Sequence, residues 1–281
     1  MILFRAVSEL RQYIEQLRKE GKTLGFVPTM GALHEGHLSL LRQSKQENDI
    51  TLLSIFVNPT QFNESSDFSN YPRTEEKDVA LVLPLNIDAV FLPTKEEMYG
   101  SGKEQLLDFP LNGLDTVMEG RYRAGHFEGV VTIVDLFFSI IAPDAAYFGL
   151  KDFQQLAVIR YLAEQRHPHI RIVPCEIVRE TNGLAMSSRN TLLSAEEKEK
   201  ALLISRVLFS IRTNWKTLPF QELLDEARNS FKGSALDLEY LEIADARTLV
   251  SLSDYSDRPA VACIAARIGK VRLIDNCELP A

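Results

Sequence analysis

The sequence has little cysteine, and its pattern argues against both disulfides and a cysteine metal site. The 281 residues include 3 cysteines, Cys175, Cys263 and Cys277, without C-x-x-C spacing. Each is flanked by apolar or mixed sequence, which indicates buried free thiols. The absence of a disulfide framework is typical of proteins from a reducing compartment.

Long apolar runs are missing as well. The N-terminal stretch MILFRAVSELRQYIEQLRKEG has charges every few residues, which argues against a signal peptide. No stretch approaches the roughly 20 apolar residues that a membrane span requires. These features predict a cytoplasmic protein with no membrane partner.

Positive charge is also scarce, because 31 Lys and Arg face 39 Asp and Glu, for a formal net charge of -8. Binding to a nucleic-acid backbone depends on clustered Lys and Arg, so we expect no nucleic-acid partner. A small basic pocket for one anionic ligand stays compatible with this charge. The hydrophobic fraction of 45% is that of an ordinary globular protein with a substantial core.

Strand-like and helical patterns alternate up to about residue 178. Predicted strands lie at 23–27, 50–57, 88–92, 145–148 and 170–175, and predicted helices at 7–20, 36–46, 74–83, 129–141 and 153–165. The alternation indicates βαβ units and an α/β fold with a Rossmann-like, doubly wound parallel sheet. In such sheets, ligands bind outside the carboxyl ends of the strands.

The pattern changes in the rest of the chain. Ser194 and Glu197 fit a capping box that opens a helix toward Trp215, and a second helix is predicted over 220–231. Three strand-like runs follow at 237–243, 260–267 and 271–275, the last two joined by a hairpin turn. We therefore predict a domain over 1–178, a hinge over 179–190 and a smaller α+β domain over 191–281.

The stretch PTMGALHEGH, residues 28–37, places His34 and His37 where a strand hands over to a helix. A zinc protease would present H-E-x-x-H, and HEGH is one residue shorter, so no metal-ligating residue is predicted. One alternative is a helix start with two incidental histidines. The other is an anion site, where free N–H groups and the helix dipole meet phosphate and the imidazoles donate to its oxygens. The Walker A lysine is absent, so this would be a different kind of nucleotide site.

Two further stretches carry cations near predicted strand ends or in the hinge. MSSRN, residues 186–190, alone is compatible with a polar linker, but beside HEGH it is compatible with a mobile loop that folds over a triphosphate. The planar donors of Arg189 suit phosphate. Lys151 adds a cation, and Asp152 is either an N-cap of the next helix or a ligand.

Six motifs, in order, connect these features: PTMGALHEGH, VNPTQF, YPRT, GHFEGV, FGLKDFQQL and GLAMSSRN. They resemble the pantothenate synthetase family of the HxGH nucleotidyltransferase superfamily, and MSSRN resembles its KMSKS-type loop. The resemblance implies that ATP, pantoate and β-alanine give pantothenate, AMP and pyrophosphate through a pantoyl adenylate. It also implies a homodimer, and ATP chemistry with few carboxylates implies Mg²⁺ held mainly by phosphates and water.

The resemblance further implies roles for particular residues. His37 would be the proton donor, acting with His34, Lys151 and Arg189, and Gln61 and Gln155 would bind pantoate, with Gln61 near β-alanine. The ATP site would comprise Met30, Gly31, Ala32, Leu33, His34, Glu35, Gly36, His37, Gly149, Leu150, Lys151, Asp152, Val178, Met186, Ser187, Ser188 and Arg189.

Three rival functions are open to a chain of this kind: an enzyme that stops at a nucleotide-activated product, a tRNA synthetase, and a non-catalytic nucleotide sensor. The pair Gln61 and Gln155 favours a hydroxy-acid pocket, which argues against the first. The negative charge argues against a tRNA partner. A sensor would be expected to have lost one of His37, Lys151 or Arg189, and all are present.

Overall fold

The computed structural model describes residues 1–63, 65–102 and 104–280, with the side chains of 65 and 66 also left out. The chain divides into two compact units. The first unit comprises Met1–Asp115, Glu119–Leu150 and Gln155–Glu176, and the second comprises Thr116–Met118, Lys151–Gln154 and Ile177–Ala281.

The first unit is built on a six-stranded sheet in the order β1-β4-β3-β2-β5-β6. Its strands are β1 (Ile2–Phe4), β2 (Leu24–Thr29), β3 (Ile50–Ile55), β4 (Ala89–Phe91), β5 (Ala145–Gly149) and β6 (Arg171–Cys175). Every pairing is parallel. From β2 the chain builds outward through β3 to β4, whereas β5 and β6 lie on the other side. The direction of winding therefore reverses between β2 and β5.

Helices connect these strands because apolar residues recur at helical spacing between them. They are α1 (Val7–Lys19), α2 (Glu35–Glu47), α3 (Ser65–Asn70), α4 (Glu75–Val82), α5 (Lys95–Tyr99), α6 (Met118–Tyr122), α7 (His126–Ile141) and α8 (Phe153–Arg166). The central strands are buried on both faces, as their continuous apolar runs predict. Val27, Leu53 and Tyr147 pack with Leu41 of α2 in one buried cluster.

The second unit contains an antiparallel sheet and two long helices. Helices α9 (Ala195–Asn214) and α10 (Phe220–Asn229) precede β7 (Asp237–Asp245), β8 (Ala260–Ile268) and β9 (Val271–Leu279), which pair in that order. The predicted capping box is present, with Ser194 and Glu197 bonding each other's backbone. The predicted fold class, a parallel sheet with a smaller α+β domain, is confirmed.

The structure differs from the sequence-based expectation at the edge of the sheet and at the end of β2. Strand β1 was not predicted, because three residues are too few to show alternation. Strand β2 continues two residues beyond its predicted end at Val27, and Pro28 pairs with Ser54. The Thr29 hydroxyl donates to the Ser54 carbonyl at 2.8 Å, which helps to hold this proline-containing end in the sheet.

The cysteine prediction is confirmed, because all three cysteines are buried free thiols. Burial raises the pKa of Cys175 to about 12, so its thiol stays protonated at neutral pH. Within the part of the chain that the structure describes, no helix is both long and apolar enough to span a bilayer.

Candidate active site

The predicted site residues of the first unit gather where the winding of its sheet reverses. The carboxyl end of β2 leads into residues 30–37, and β5 ends at Gly149, followed by Leu150. Strands β2 and β5 are direct neighbours, so their carboxyl ends lie side by side. Ligands of doubly wound sheets bind in the crevice at such a reversal.

The loop after β2 has an uncommon backbone. Gly31 and Ala32 adopt left-handed conformations, with φ of 80° and 49°. The Asp78 carboxylate accepts hydrogen bonds from Ala32 N at 2.9 Å and from Leu33 N at 2.7 Å. A buried carboxylate of the protein itself therefore holds two N–H groups of the stretch that was predicted to bind ATP, and the assignment of that stretch stays a prediction.

The two histidines cap helix α2. His34 is the N-cap, and its Nδ1 accepts from Gly36 N at 3.1 Å, while His37 Nδ1 accepts from His34 N at 3.2 Å. The ring centroids lie 4.1 Å apart. A ring nitrogen that accepts from a backbone N–H carries no proton, so each neutral ring is protonated at Nε2. The structure is therefore compatible with both alternatives, a plain helix start and an anion site, because one imidazole can cap the helix through Nδ1 and still offer a donor at Nε2.

Gln61 is brought into contact with the same loop. It ends a 3-10 turn, Pro59–Gln61, and its residue is 7% exposed. Its Nε2 donates to the sulfur of Met30 at 3.0 Å, and its Oε1 accepts from Asn58 Nδ2 at 3.2 Å. The structure thus joins Met30, predicted for the nucleotide, to Gln61, predicted for pantoate. Gln155 lies half-buried on α8.

A buried polar network supports this turn, and residue types alone did not reveal it. Tyr99 Oη donates to Asn58 Oδ1 at 2.6 Å, and burial raises the pKa of Tyr99 to about 12, so the phenol stays neutral. Arg123 donates to His126 Nε2 at 3.1 Å, which leaves the Nδ1 proton of His126 to donate to the Gln61 carbonyl at 2.8 Å. The motifs VNPTQF and GHFEGV contain Asn58 and His126, so the signal was present.

The remaining predicted site residues belong to the second unit. Lys151 Nζ lies 3.5 Å from Asp152 Oδ1, and Asn276 of β9 donates to the Lys151 carbonyl at 2.8 Å. Lys151 and Asp152 belong to a 3-10 turn that directly precedes α8.

The segment that holds MSSRN starts with a small hairpin. Met186 N donates to the Val178 carbonyl at 3.0 Å, so the residue predicted to border adenine is paired with one predicted to close over the phosphates. Arg179 anchors this hairpin through two hydrogen bonds to the Asp275 carboxylate, at 2.6 and 3.0 Å. The 3-10 turn Ser188–Leu192 follows.

This fold and this loop define the chain as a nucleotide-binding α/β protein with an HxGH-type site. Residues 2–278 match the family described as pantoate-beta-alanine ligase. The chain belongs to that family. The resemblance inferred from its motifs is thereby confirmed, and so is its assignment as an enzyme of this type.

Similar proteins agree with this membership. The chain is 48% identical to a pantothenate synthetase of Phocaeicola vulgatus and 46% identical to one of Bacteroides thetaiotaomicron, over 99% of each chain. A crystal structure of pantothenate synthetase from Thermus thermophilus matches all of both chains, with 37% identity and a TM-score of 0.93. A Francisella tularensis pantoate-beta-alanine ligase, complexed with beta-gamma ATP and beta-alanine, matches at 32% identity and a TM-score of 0.82, covering 99% of this chain and 97% of that one.

Proposed function

We propose that this enzyme condenses pantoate with β-alanine, using ATP and releasing AMP and pyrophosphate. The observation that carries the proposal is the contact between Met30 and Gln61, because it joins the HxGH loop to a buried amide suited to a polar substrate. The complex of the related ligase with beta-gamma ATP and beta-alanine supports ATP and β-alanine as substrates of this chain.

The reaction requires two transfers at one site. A carboxylate is a poor acylating agent because oxide is a very poor leaving group. In the first transfer, an oxygen of the pantoate carboxylate attacks the α-phosphorus of ATP, and the bond to pyrophosphate breaks. In the second, the β-alanine amine attacks the carbonyl of the pantoyl adenylate, AMP leaves and the amine loses a proton. Because the protein forms no covalent bond, it contributes through positioning and electrostatics.

The residues present fit these demands. In the proposal, His34 and His37 donate from Nε2 to phosphate oxygens whose charge grows in the first transfer. Lys151 and Arg189 contribute cations, and Arg189 offers two parallel donors. Gln61 and Gln155 bind pantoate, since an amide can donate to and accept from hydroxyl groups without adding charge.

Mg²⁺ is also part of the proposal. Among the residues that the structure describes, no group of three or more His, Cys, Asp or Glu could hold a metal ion. An Mg²⁺ ion held mainly by phosphates and water needs no such group of protein ligands, and the ion would offset phosphate charge. We expect EDTA to abolish adenylation and added Mg²⁺ to restore it, in a pyrophosphate-exchange assay. Full activity in EDTA would contradict this part of the proposal.

Three further features are proposed on the family resemblance. The segment 186–189 closes on ATP, with 179–190 as its hinge and 191–281 as the lid domain, and so keeps water from the adenylate. The enzyme is a homodimer. It works in the cytoplasm.

The test of the function is pantoate-dependent exchange of labelled pyrophosphate into ATP. The first transfer is reversible, so label should enter ATP only when pantoate is present, and β-alanine should then release AMP and pantothenate in equal amounts. Exchange without pantoate would contradict the proposed substrate. Exchange with pantoate but no product on adding β-alanine would favour the rival that stops at a nucleotide-activated product.

A further inference from the structure

We propose that Asp78 is a positioning residue for adenylation. Its carboxylate sets the shape of the loop that carries His34 and His37. This inference rests on the proposed function, because it gives that loop its role toward ATP. Asp78 belongs to α4, and it was not among the residues predicted for the site.

Asp78 is buried, and its carboxylate is directed at the loop. The residue is 2% exposed. Its Oδ1 accepts from Leu33 N at 2.7 Å, and its Oδ2 accepts from Ala32 N at 2.9 Å and from the Thr74 hydroxyl at 3.2 Å. An ionised carboxylate only accepts hydrogen bonds, so it matches this set of three donors.

The loop needs such support because its backbone is unfavourable by itself. Ala32 has a φ of 49°, in the left-handed region that residues with a Cβ rarely adopt. Conformations of this kind persist only where the surroundings enforce them. A Cβ added at Gly31 would lie 3.0 Å from Asp78 Oδ2, so the carboxylate fits closely against the loop.

The loop transmits this constraint to the histidines over a short path. Leu33, held by Asp78, immediately precedes His34, the N-cap of α2. The His34 N–H in turn bonds His37 Nδ1, so a shift at Leu33 would move both rings. Displacement of catalytic groups by about 1 Å can lower a rate by about 10²-fold.

A different role is conceivable for a carboxylate near a nucleotide, namely as a ligand of Mg²⁺. The hydrogen bonds argue against it, because three of the carboxylate's about four lone-pair sites already accept from the loop or from Thr74, and the group is directed at the loop. Successive N–H groups in a left-handed turn form a concavity that binds anions. In this protein the anion in that concavity is Asp78 itself.

The test compares Asp78→Asn with a matched variant, Asp245→Asn. Asparagine keeps the size of the side chain, and at position 78, where both carboxylate oxygens accept, it turns an NH₂ donor toward an N–H or hydroxyl donor. Asp245 is 6% exposed and also accepts from two backbone N–H groups and a threonine hydroxyl, at 3.0, 2.8 and 3.0 Å, but all three bonds end on Oδ1, so the Asn amide oxygen can keep them. It ends β7 and belongs to no predicted site.

Each variant is assayed for both half-reactions. We expect Asp78→Asn to lower kcat for pyrophosphate exchange about 10- to 100-fold. The variant should still convert supplied pantoyl adenylate and β-alanine to pantothenate at nearly the wild-type rate, because pyrophosphate takes no part in that step. Asp245→Asn, which removes a buried carboxylate charge outside the predicted site, should leave both rates nearly unchanged.

Other outcomes would overturn the inference. Equal loss of both half-reactions in Asp78→Asn, or the same loss of exchange in Asp245→Asn, would mean that Asp78 only stabilises the fold. Recovery of the exchange rate of Asp78→Asn at high Mg²⁺ would indicate that Asp78 serves to bind the metal instead.

A readout without catalysis separates this inference from the function. In the ligand-free protein, the NMR signals of the His34 and His37 ring nitrogens report the tautomer and therefore the loop. They should change in Asp78→Asn and not in Asp245→Asn. If the wild type shows no pantoate-dependent exchange, the proposed function fails while this measurement still decides the role of Asp78. Unchanged histidine signals in Asp78→Asn would overturn it.

Discussion

At the scale of single residues, His34 and His37 each use one ring nitrogen at the helix start, which leaves the other for the proposed donor role. Nδ1 closes the start of α2, and the hydrogen bond that it accepts puts the proton on Nε2. N-cap positions in proteins favour Ser, Thr, Asp or Asn for capping. A histidine can cap a helix as well and adds a second nitrogen, which the proposed contact with phosphate would use.

The capping role and the proposed donor role of His37 can be separated by substitution. Asn places its amide near the position of Nδ1, whereas Gln places its amide near Nε2. We expect His37→Asn to lower kcat for adenylation by about 10²–10³, as loss of a transition-state donor does, with little change in KM for ATP. His37→Gln should retain more activity than His37→Asn in the pyrophosphate-exchange assay.

His169, which is exposed, provides the control, and His169→Ala should leave the rate unchanged. The reverse order, with Asn more active than Gln, would mean that the cap matters and that His37 is no donor. A change confined to KM would make His37 a binding residue only.

A second prediction concerns pH and the buried pair of Asp135 and His167. Burial by itself would raise the pKa of Asp135, but hydrogen bonds from Arg166 and His167, at 2.7 and 2.8 Å, hold that pKa below its ordinary value. A lowered pKa in the folded state stabilises the protein above the unfolded pKa of about 4. The stabilisation is lost as the pH falls through the lower, folded pKa.

Asp135→Asn should therefore lower the free energy of unfolding at pH 7 by about 1–3 kcal/mol. Arg166 and His167 lose a charged acceptor, and the amide NH₂ opposes Arg166 Nη2 where Oδ2 now accepts at 3.2 Å. The difference from wild type should shrink below about pH 4, where the wild-type carboxylate is being protonated. Denaturant unfolding at several pH values measures both. The exposed Asp257 provides a control, and a difference that stayed constant with pH would contradict the assignment.

At the scale of elements, helix α7 and the turn Pro59–Gln61 form one packed piece. A Cβ added at Gly129 of α7 would lie 2.3 Å from the Thr60 carbonyl oxygen. The Asn58 amide also donates to the Gly129 carbonyl at 3.1 Å. The absence of a side chain at Gly129 lets the helix approach the turn that carries Gln61.

Gly129→Ala should move this turn and so weaken the binding of pantoate more than the binding of ATP. Because the obstacle is backbone, the overpacking should also lower the free energy of unfolding by about 1–3 kcal/mol. We expect KM for pantoate to rise about tenfold or more, with KM for ATP changed far less. Steady-state kinetics at saturating levels of the other substrates measure this.

Gly102→Ala is the matched control, because a Cβ there meets nothing within 4 Å. It should change neither constant. Equal rises in both KM values for Gly129→Ala would show that the turn does not serve pantoate selectively.

Periodicity predicted the main strands and helices of the sheet, since burial on both faces leaves continuous apolar runs. It predicted the position of the HxGH loop for the same reason. It did not reveal Asp78, because Asp78 is one of three acids in TEEKD, a stretch with the composition of a solvated helix start. The contact that distinguishes Asp78 spans 46 residues of sequence, and only the folded chain brings its partners together.

At the scale of the whole molecule, the predicted nucleotide residues fall in both compact units. The second unit includes 151–154 as well as 177–281, so Lys151 groups with the C-terminal strands. Asn276 of β9 holds the Lys151 carbonyl, which explains part of this grouping. The domain boundary at 178 was inferred from the change of pattern along the sequence, and it stays a prediction. A sequence pattern does not report contacts between distant segments, such as the one between Lys151 and β9.

The last prediction tests the proposed closure of 186–189. Arg189→Ala should slow adenylation and loosen the lid, so that water reaches the pantoyl adenylate. The variant should then release more AMP than pantothenate, whereas the wild type should release equal amounts. Quantifying both products in the same reaction measures this ratio. Arg206→Ala is the control, because Arg206 is exposed and its Nη2 lies 3.3 Å from Glu199 Oε1 on the same helix.

Limited proteolysis of the wild type around Arg179 to Arg189 should slow when ATP and pantoate are present together, since a closed segment is a poor protease substrate. Equal cleavage with and without substrates, together with a product ratio of one in Arg189→Ala, would show that MSSRN is a polar linker and that the adenylate is protected by other means.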